Sequence, residues 1–165
     1  MIGDHHLDAN SLPKKSELGI LPPGVHLCSL EEIEMRFATN SDRKLLFDSV
    51  ARLHSDLRSR EIQGHLIIGG SFPMECIEKP NDVDILLGLD SEWVQRDEII
   101  EKYESEDLWK PVFVHKTYAG LHYWVRPDVN PLYHGVVELF QQPDSKHGFP
   151  DKTTIGIVKI KISDS

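Results

Sequence analysis

Apolar residues recur along this chain at two distinct periods, one helical and one extended. Leu46, Val50, Leu53 and Leu57 repeat at helical spacing and predict a long helix from Asn40 or Ser41 to about Ser59. A shorter helix precedes it, with Ser29 as its cap, Glu32 three residues on in a capping-box position, and Leu30, Ile33 and Phe37 as its apolar side. A third is expected from Asp90 or Ser91 to about Glu104, with Trp93, Ile99, Ile100 and Tyr103 facing inward. A fourth starts at Asn130 with Pro131 in its first position, and Leu132, Val136, Leu139 and Phe140 line its inner side. Extended segments fall between these helices, at about His65–Ile68, Asp82–Gly88 and Leu121–Arg126, with a shorter candidate at Val112-Phe113-Val114. Leu121, Tyr123 and Val125 alternate with His122, Trp124 and Arg126, so the two sets face opposite sides of a strand. Ile155–Ile162 alternates β-branched residues with Lys159 and Lys161, the pattern of an edge strand guarded by lysines. Leu21-Pro22-Pro23-Gly24 suits a rigid turn, and residues 143–154 a polar loop.

Residues 66–87 carry the candidate chemistry. Leu66-Ile67-Ile68 runs into Gly69-Gly70-Ser71, a buried strand that stops at a tight turn. Ten residues later Asp82-Val83-Asp84-Ile85 alternates acid with aliphatic. On a strand the two acids share one face, about 6–7 Å apart, while Val83, Ile85 and Leu87 face the core. Neighbouring carboxylates repel, and a divalent cation relieves the repulsion. Mg2+, or Mn2+, suits oxygen ligands shared with phosphate. Gly69, Gly70 and Ser71 offer backbone N–H groups that can cradle an anion where no Cβ stands in the way.

Composition narrows the classes. At 165 residues the chain suits one domain, with residues 1–20 a polar, flexible arm and residues 21–165 the folded part. A net charge of −9 disfavours direct nucleic-acid binding and fits a metal site or a basic partner. No run of about 18 apolar residues predicts a membrane span, and the first residues hold no apolar signal core, so a cytoplasmic protein is expected. Cys28 and Cys76 read as free thiols, and His5-His6 as a solvated pair rather than a metal site. Arg43, Lys44, Arg52 and Arg58 gather on the outer side of the long helix, which makes a solvated face or a partner surface.

The spacing Gly70-Ser71, ten residues, Asp82-x-Asp84 resembles the signature of the nucleotidyltransferase superfamily in its minimal form, which includes antitoxins of bacterial toxin–antitoxin pairs. From Leu21 on, the chain also resembles small bacterial proteins of that fold. The likeness lies in Leu21-Pro22-Pro23-Gly24-Val25-His26 with Glu31 and Arg36-Phe37, in Gly70-Ser71-Phe72, and in Leu139-Phe140-Gln141 with Gly156-Ile157-Val158. The resemblance implies an α/β (α+β) fold, a mixed sheet flanked by helices. It also implies Mg2+ or Mn2+ at Asp82 and Asp84, and a nucleoside triphosphate at Gly69, Gly70 and Ser71.

Active members add a third carboxylate from a later strand, and this chain has Leu121-His122-Tyr123 there. His122 could substitute as ligand or base, although imidazole is softer than carboxylate; it could equally be an ordinary sheet residue. Asp128, just past the strand, is the nearest acid. Two functions follow. One is metal-dependent nucleotidyl transfer from a nucleoside triphosphate to a protein or small-molecule acceptor, within a toxin–antitoxin or defence system. The alternative is a catalytically degenerate binding module acting as an antitoxin or regulatory partner, its acidity matched to a basic protein.

Overall fold

The computed structural model describes residues 12–103 and 105–162. His5-His6 and the first part of the expected arm lie outside the described residues. A five-stranded mixed sheet is flanked by six helices among those residues, the α/β architecture expected.

The elements follow the chain as β1 (Gly24–Leu27), α1 (Leu30–Phe37), α2 (Ser41–Ser59), β2 (Gly64–Gly69) and β3 (Val83–Leu89). After these come α3 (Ser91–Val94), α4 (Asp97–Tyr103), α5 (Pro111–Thr117), β4 (Leu121–Pro127), α6 (Pro131–Phe140) and β5 (Gly156–Lys161). The spatial order of the strands is β1-β5-β2-β3-β4. β2 lies antiparallel to both β3 and β5, whereas β1 is parallel to β5 and β4 parallel to β3. The parallel β3–β4 pair needs a long crossover, which α3, α4 and α5 supply.

Helix starts follow local chemistry. Ser29 accepts the Glu32 N–H at 3.2 Å, Asn40 accepts the Arg43 N–H at 2.9 Å, and Asn130 accepts the Leu132 N–H at 2.8 Å ahead of Pro131. Each satisfies one backbone donor that a helix start leaves without an intrahelical partner. The sheet buries both faces. Leu66, Ile68, Ile85, Leu87, Tyr123, Val125 and Ile160 pack with residues of α1, α2 and α5 in the main core. On the other face Ile67, Leu86 and Ile157 meet only Tyr133 and Phe140 of α6, with half-buried Trp124, Val136 and Val137 alongside.

Six expectations are corrected. Leu132 and Leu139 are exposed rather than on the inner side of α6, where Tyr133 and Phe140 take the buried positions. Residues 12–20 are docked rather than an arm: Leu12 and Ile20 are buried, and the Leu12 N–H donates to Glu32 Oε1 at 2.7 Å. Val112-Phe113-Val114 belongs to α5, because Pro111 opens a helix there and only Val114 is fully buried. The single helix expected from Asp90 to Glu104 is two, α3 and α4, and Ile100 and Tyr103 of α4 are exposed. β5 is not an edge, since Gly24–Leu27 forms a short strand beside it, with Val25 and Leu27 partly exposed. Arg43 is not on a solvated face: it is buried among backbone carbonyls. Both cysteines are free, as expected, and burial pushes the Cys28 thiol up to about 12. No helix among the described residues is long and apolar enough to cross a membrane.

Candidate functional site

β2 ends at Gly69, which pairs with Asp84 across the antiparallel ladder. The chain then turns at Gly70 with φ +74°, a left-handed conformation that glycine adopts without strain. A Cβ on Gly70 would stand 2.7 Å from Asp84 Oδ2. The missing side chain thus serves twice, allowing the turn and letting the carboxylate sit against it. Gly69 has a different task. Its missing Cβ makes room for the Phe140 ring, which would otherwise lie 2.6 Å away. Gly69 is therefore a buried packing position under α6, and the anion cradle expected of this turn is left to Gly70 and Ser71, which border a cavity.

β4 runs parallel to β3 in the register Asp84↔His122. This brings His122 Nδ1 to 3.4 Å from Asp84 Oδ1 and 3.6 Å from Asp82 Oδ2. One ligand atom from each of Asp82, Asp84 and His122 falls within 4.8 Å of the others. Asp82 precedes β3 by one residue, yet its carboxylate still reaches the group. Burial, reinforced by the negative charge of Asp82 and opposed by His122, raises the Asp84 pKa above the usual carboxylate range. Two carboxylate oxygens and one imidazole nitrogen fit a divalent cation, which would offset both the burial of the Asp84 charge and its repulsion by Asp82.

Asp128 is not part of this group. β4 parallels β3 to the pair Leu89↔Pro127, so Asp128 leaves the far end of the strands, about 16 Å along β3 from Asp84. Its N–H donates to Leu89 O at 2.9 Å, and the Ser91 hydroxyl donates to its carboxylate. The parallel register that delivers His122 is what carries Asp128 away.

A cavity of about 390 Å3 opens beside the carboxylates, a size suited to a small ligand. Gly70, Ser71, Asp82 and Asp84 form one part of its wall. Trp124 and Phe140 form another, and Lys146 and His147 come from a short 3-10 turn, Ser145–His147. Sequence reading places Trp124 on the correct side of β4 but sees residues 143–154 only as a polar loop. The signal for Lys146 and His147 lies in tertiary contact, not in spacing.

Behind the cradle, Arg43 holds the loop after Ser71. Its guanidinium donates to the carbonyls of Phe37 at 3.1 Å, Phe72 at 2.7 Å, Met74 at 2.6 Å and Ile77 at 3.1 Å. One buried side chain from α2 thereby fixes three carbonyls of the loop that joins the Gly70–Ser71 turn to the acidic strand. Desolvation lowers the Arg43 pKa from its ordinary value.

Fold and site together define a mixed α/β domain with an acid-and-imidazole cluster at a glycine–serine turn. The chain belongs to a family of unknown function, DUF6932, matched over residues 13–161. Neither a curated protein nor a solved structure matches it.

Proposed function

We propose that the domain is a metal-dependent nucleotidyltransferase that takes a nucleoside triphosphate and modifies a protein or small-molecule acceptor. The observation that carries this reading is the convergence of Asp82, Asp84 and His122, ligand atoms within 4.8 Å, beside the Gly70–Ser71 turn and an open cavity. Asp82, Asp84 and His122 hold the cation, Mg2+ or Mn2+, which supplies charge neutralisation at the phosphates. Gly70 and Ser71 face the phosphate chain with backbone N–H groups, and the Ser71 hydroxyl adds a donor. The transfer would form a bond from the acceptor oxygen to the α-phosphorus and break the bond between the α-phosphorus and the oxygen bridging to the β-phosphate, releasing pyrophosphate, while the acceptor hydroxyl loses its proton to solvent.

A second reading keeps the binding and drops the chemistry: an antitoxin or regulatory partner that retains the fold. The composition of the cluster favours it, since among the described residues the group holds two carboxylates and an imidazole rather than three carboxylates. In this reading the net charge of −9 suits a basic protein partner.

Calorimetry of Mg2+·ATP binding, together with transfer of labelled nucleoside monophosphate from ATP to lysate proteins, tests both. The Asp82→Asn/Asp84→Asn protein is expected to lose metal-dependent nucleotide binding and keep its fold, with apo stability equal or higher as the charge repulsion is relieved. Unchanged Mg2+·ATP affinity in that variant rejects the site. Binding without any transfer, with either metal, selects the second reading over the first.

A further inference from the structure

Alternation along β4 puts His122 and Trp124 on one face, two residues apart, about 6.6 Å along the strand. The metal-ligating group and the indole therefore line up in sequence away from the Gly70–Ser71 turn. Trp124 is half-buried, borders the cavity, and meets Phe140 edge to face with centroids 5.4 Å apart at 70°. Phe140 is itself buried, seated where Gly69 has no side chain. The indole is thus braced from behind by a packed ring. The cavity has an acidic, phosphate-binding part and a rigid aromatic part, with one strand step of two residues between them. That separation matches a ligand whose phosphates and flat ring are joined by a sugar.

We propose that Trp124 is the platform on which a nucleobase stacks, so that the cavity takes a nucleotide rather than an inorganic polyphosphate or a phosphorylated sugar. The inference rests on the phosphate-binding reading of Gly70, Ser71, Asp82 and Asp84, and adds to it the group that recognises the base. Stacking tolerates any base because each has a π face; discrimination among bases would come from other groups. The other two tryptophans do not compete for this role. Trp93 and Trp109 are buried in the main core on the opposite face, packed against each other at 5.9 Å.

That disposition makes Trp124 its own reporter. Titrating the full-length protein with Mg2+·ATP is expected to change its intrinsic fluorescence, whereas Mg2+·triphosphate, followed by calorimetry, binds more weakly and leaves the fluorescence unchanged. Trp124→Leu is expected to abolish the ATP-induced change and weaken ATP by about 5- to 150-fold, the range that base–aromatic stacking covers, with triphosphate affinity unaltered. Trp124→Phe keeps a ring in place. It should retain most of the ATP affinity while losing the fluorescence change, which separates loss of the platform from loss of the fold. Equal affinity of the wild-type protein for ATP and triphosphate, or an equal weakening of both in Trp124→Leu, overturns the base platform and leaves the metal–phosphate site standing. Binding of neither ligand overturns both.

Discussion

At the scale of single residues, the imidazole at position 122 would set the metal preference of the proposed site. A carboxylate there would complete an all-oxygen site of the kind Mg2+ prefers, whereas an imidazole nitrogen is a poorer ligand for Mg2+ than for a transition-metal ion such as Mn2+. The native protein is therefore expected to bind Mn2+ more tightly than Mg2+. His122→Asp should lower that preference on the order of tenfold, read as the ratio of the two calorimetric affinities. The same substitution places a third carboxylate beside Asp82 and Asp84, so the metal-free variant should melt lower than the native protein and recover when Mg2+ is added. A preference ratio unmoved by His122→Asp would show that the imidazole is not a ligand.

At the scale of elements, the segment between β2 and β3 is organised less by its own hydrogen bonds than by Arg43 of α2. Removing the guanidinium leaves the carbonyls of Phe37, Phe72, Met74 and Ile77 without its donors. Buried acceptors left unpaired cost about 1–3 kcal/mol each. Arg43→Met is therefore expected to destabilise the domain by at least about 3 kcal/mol in urea denaturation. Arg43→Lys should recover little, because a single ammonium cannot reach carbonyls spread around a planar fork. Near-native stability of the Lys variant would mean that charge alone, not the fork, holds the loop.

For the whole molecule, the sheet face under α6 adds a buried histidine to the response to acid. His65 is buried between β2 and α6, its Nε2 2.6 Å from the Tyr133 hydroxyl. The hydroxyl and the ring share a hydrogen bond whose direction follows the ring tautomer. Burial, aided by the charge of Lys159 and opposed by Asp128, lowers the His65 pKa from 6.5 to about 4. The folded state thus holds this ring neutral where the unfolded chain protonates it. Its contribution is intact above pH 6.5 and is lost as pH falls towards 4. Between pH 7.5 and 4.5 the loss is on the order of 2–3 kcal/mol, superimposed on the titration of carboxylates. Comparing denaturation midpoints of the native protein and His65→Gln at both pH values isolates it. The variant should be less stable at neutral pH but lose less on acidification; parallel losses in the two proteins would remove His65 from the acid response.

Local sequence was enough to determine the helix caps, the two central strands and the alternation that puts Asp82 and Asp84 beside a glycine–serine turn. Capping and strand alternation act over a few residues, so Ser29, Asn40, Asn130 and the run from Leu66 to Leu87 carry their own instructions. Position 122 was legible as the third member of the cluster only as one of two candidates. The choice between His122 and Asp128 depended on β4 pairing parallel to β3, a contact between segments some forty residues apart in the chain. The same long-range contacts put β5 inside the sheet behind a strand as short as Gly24–Leu27, turned Val112–Val114 into part of a helix, and buried Arg43. They also assembled Trp124, Phe140 and Lys146 around one cavity. Hydrophobic periodicity reports which side of an element is apolar. Which neighbour covers that side, and which polar group is drawn in with it, is settled only when distant elements pack.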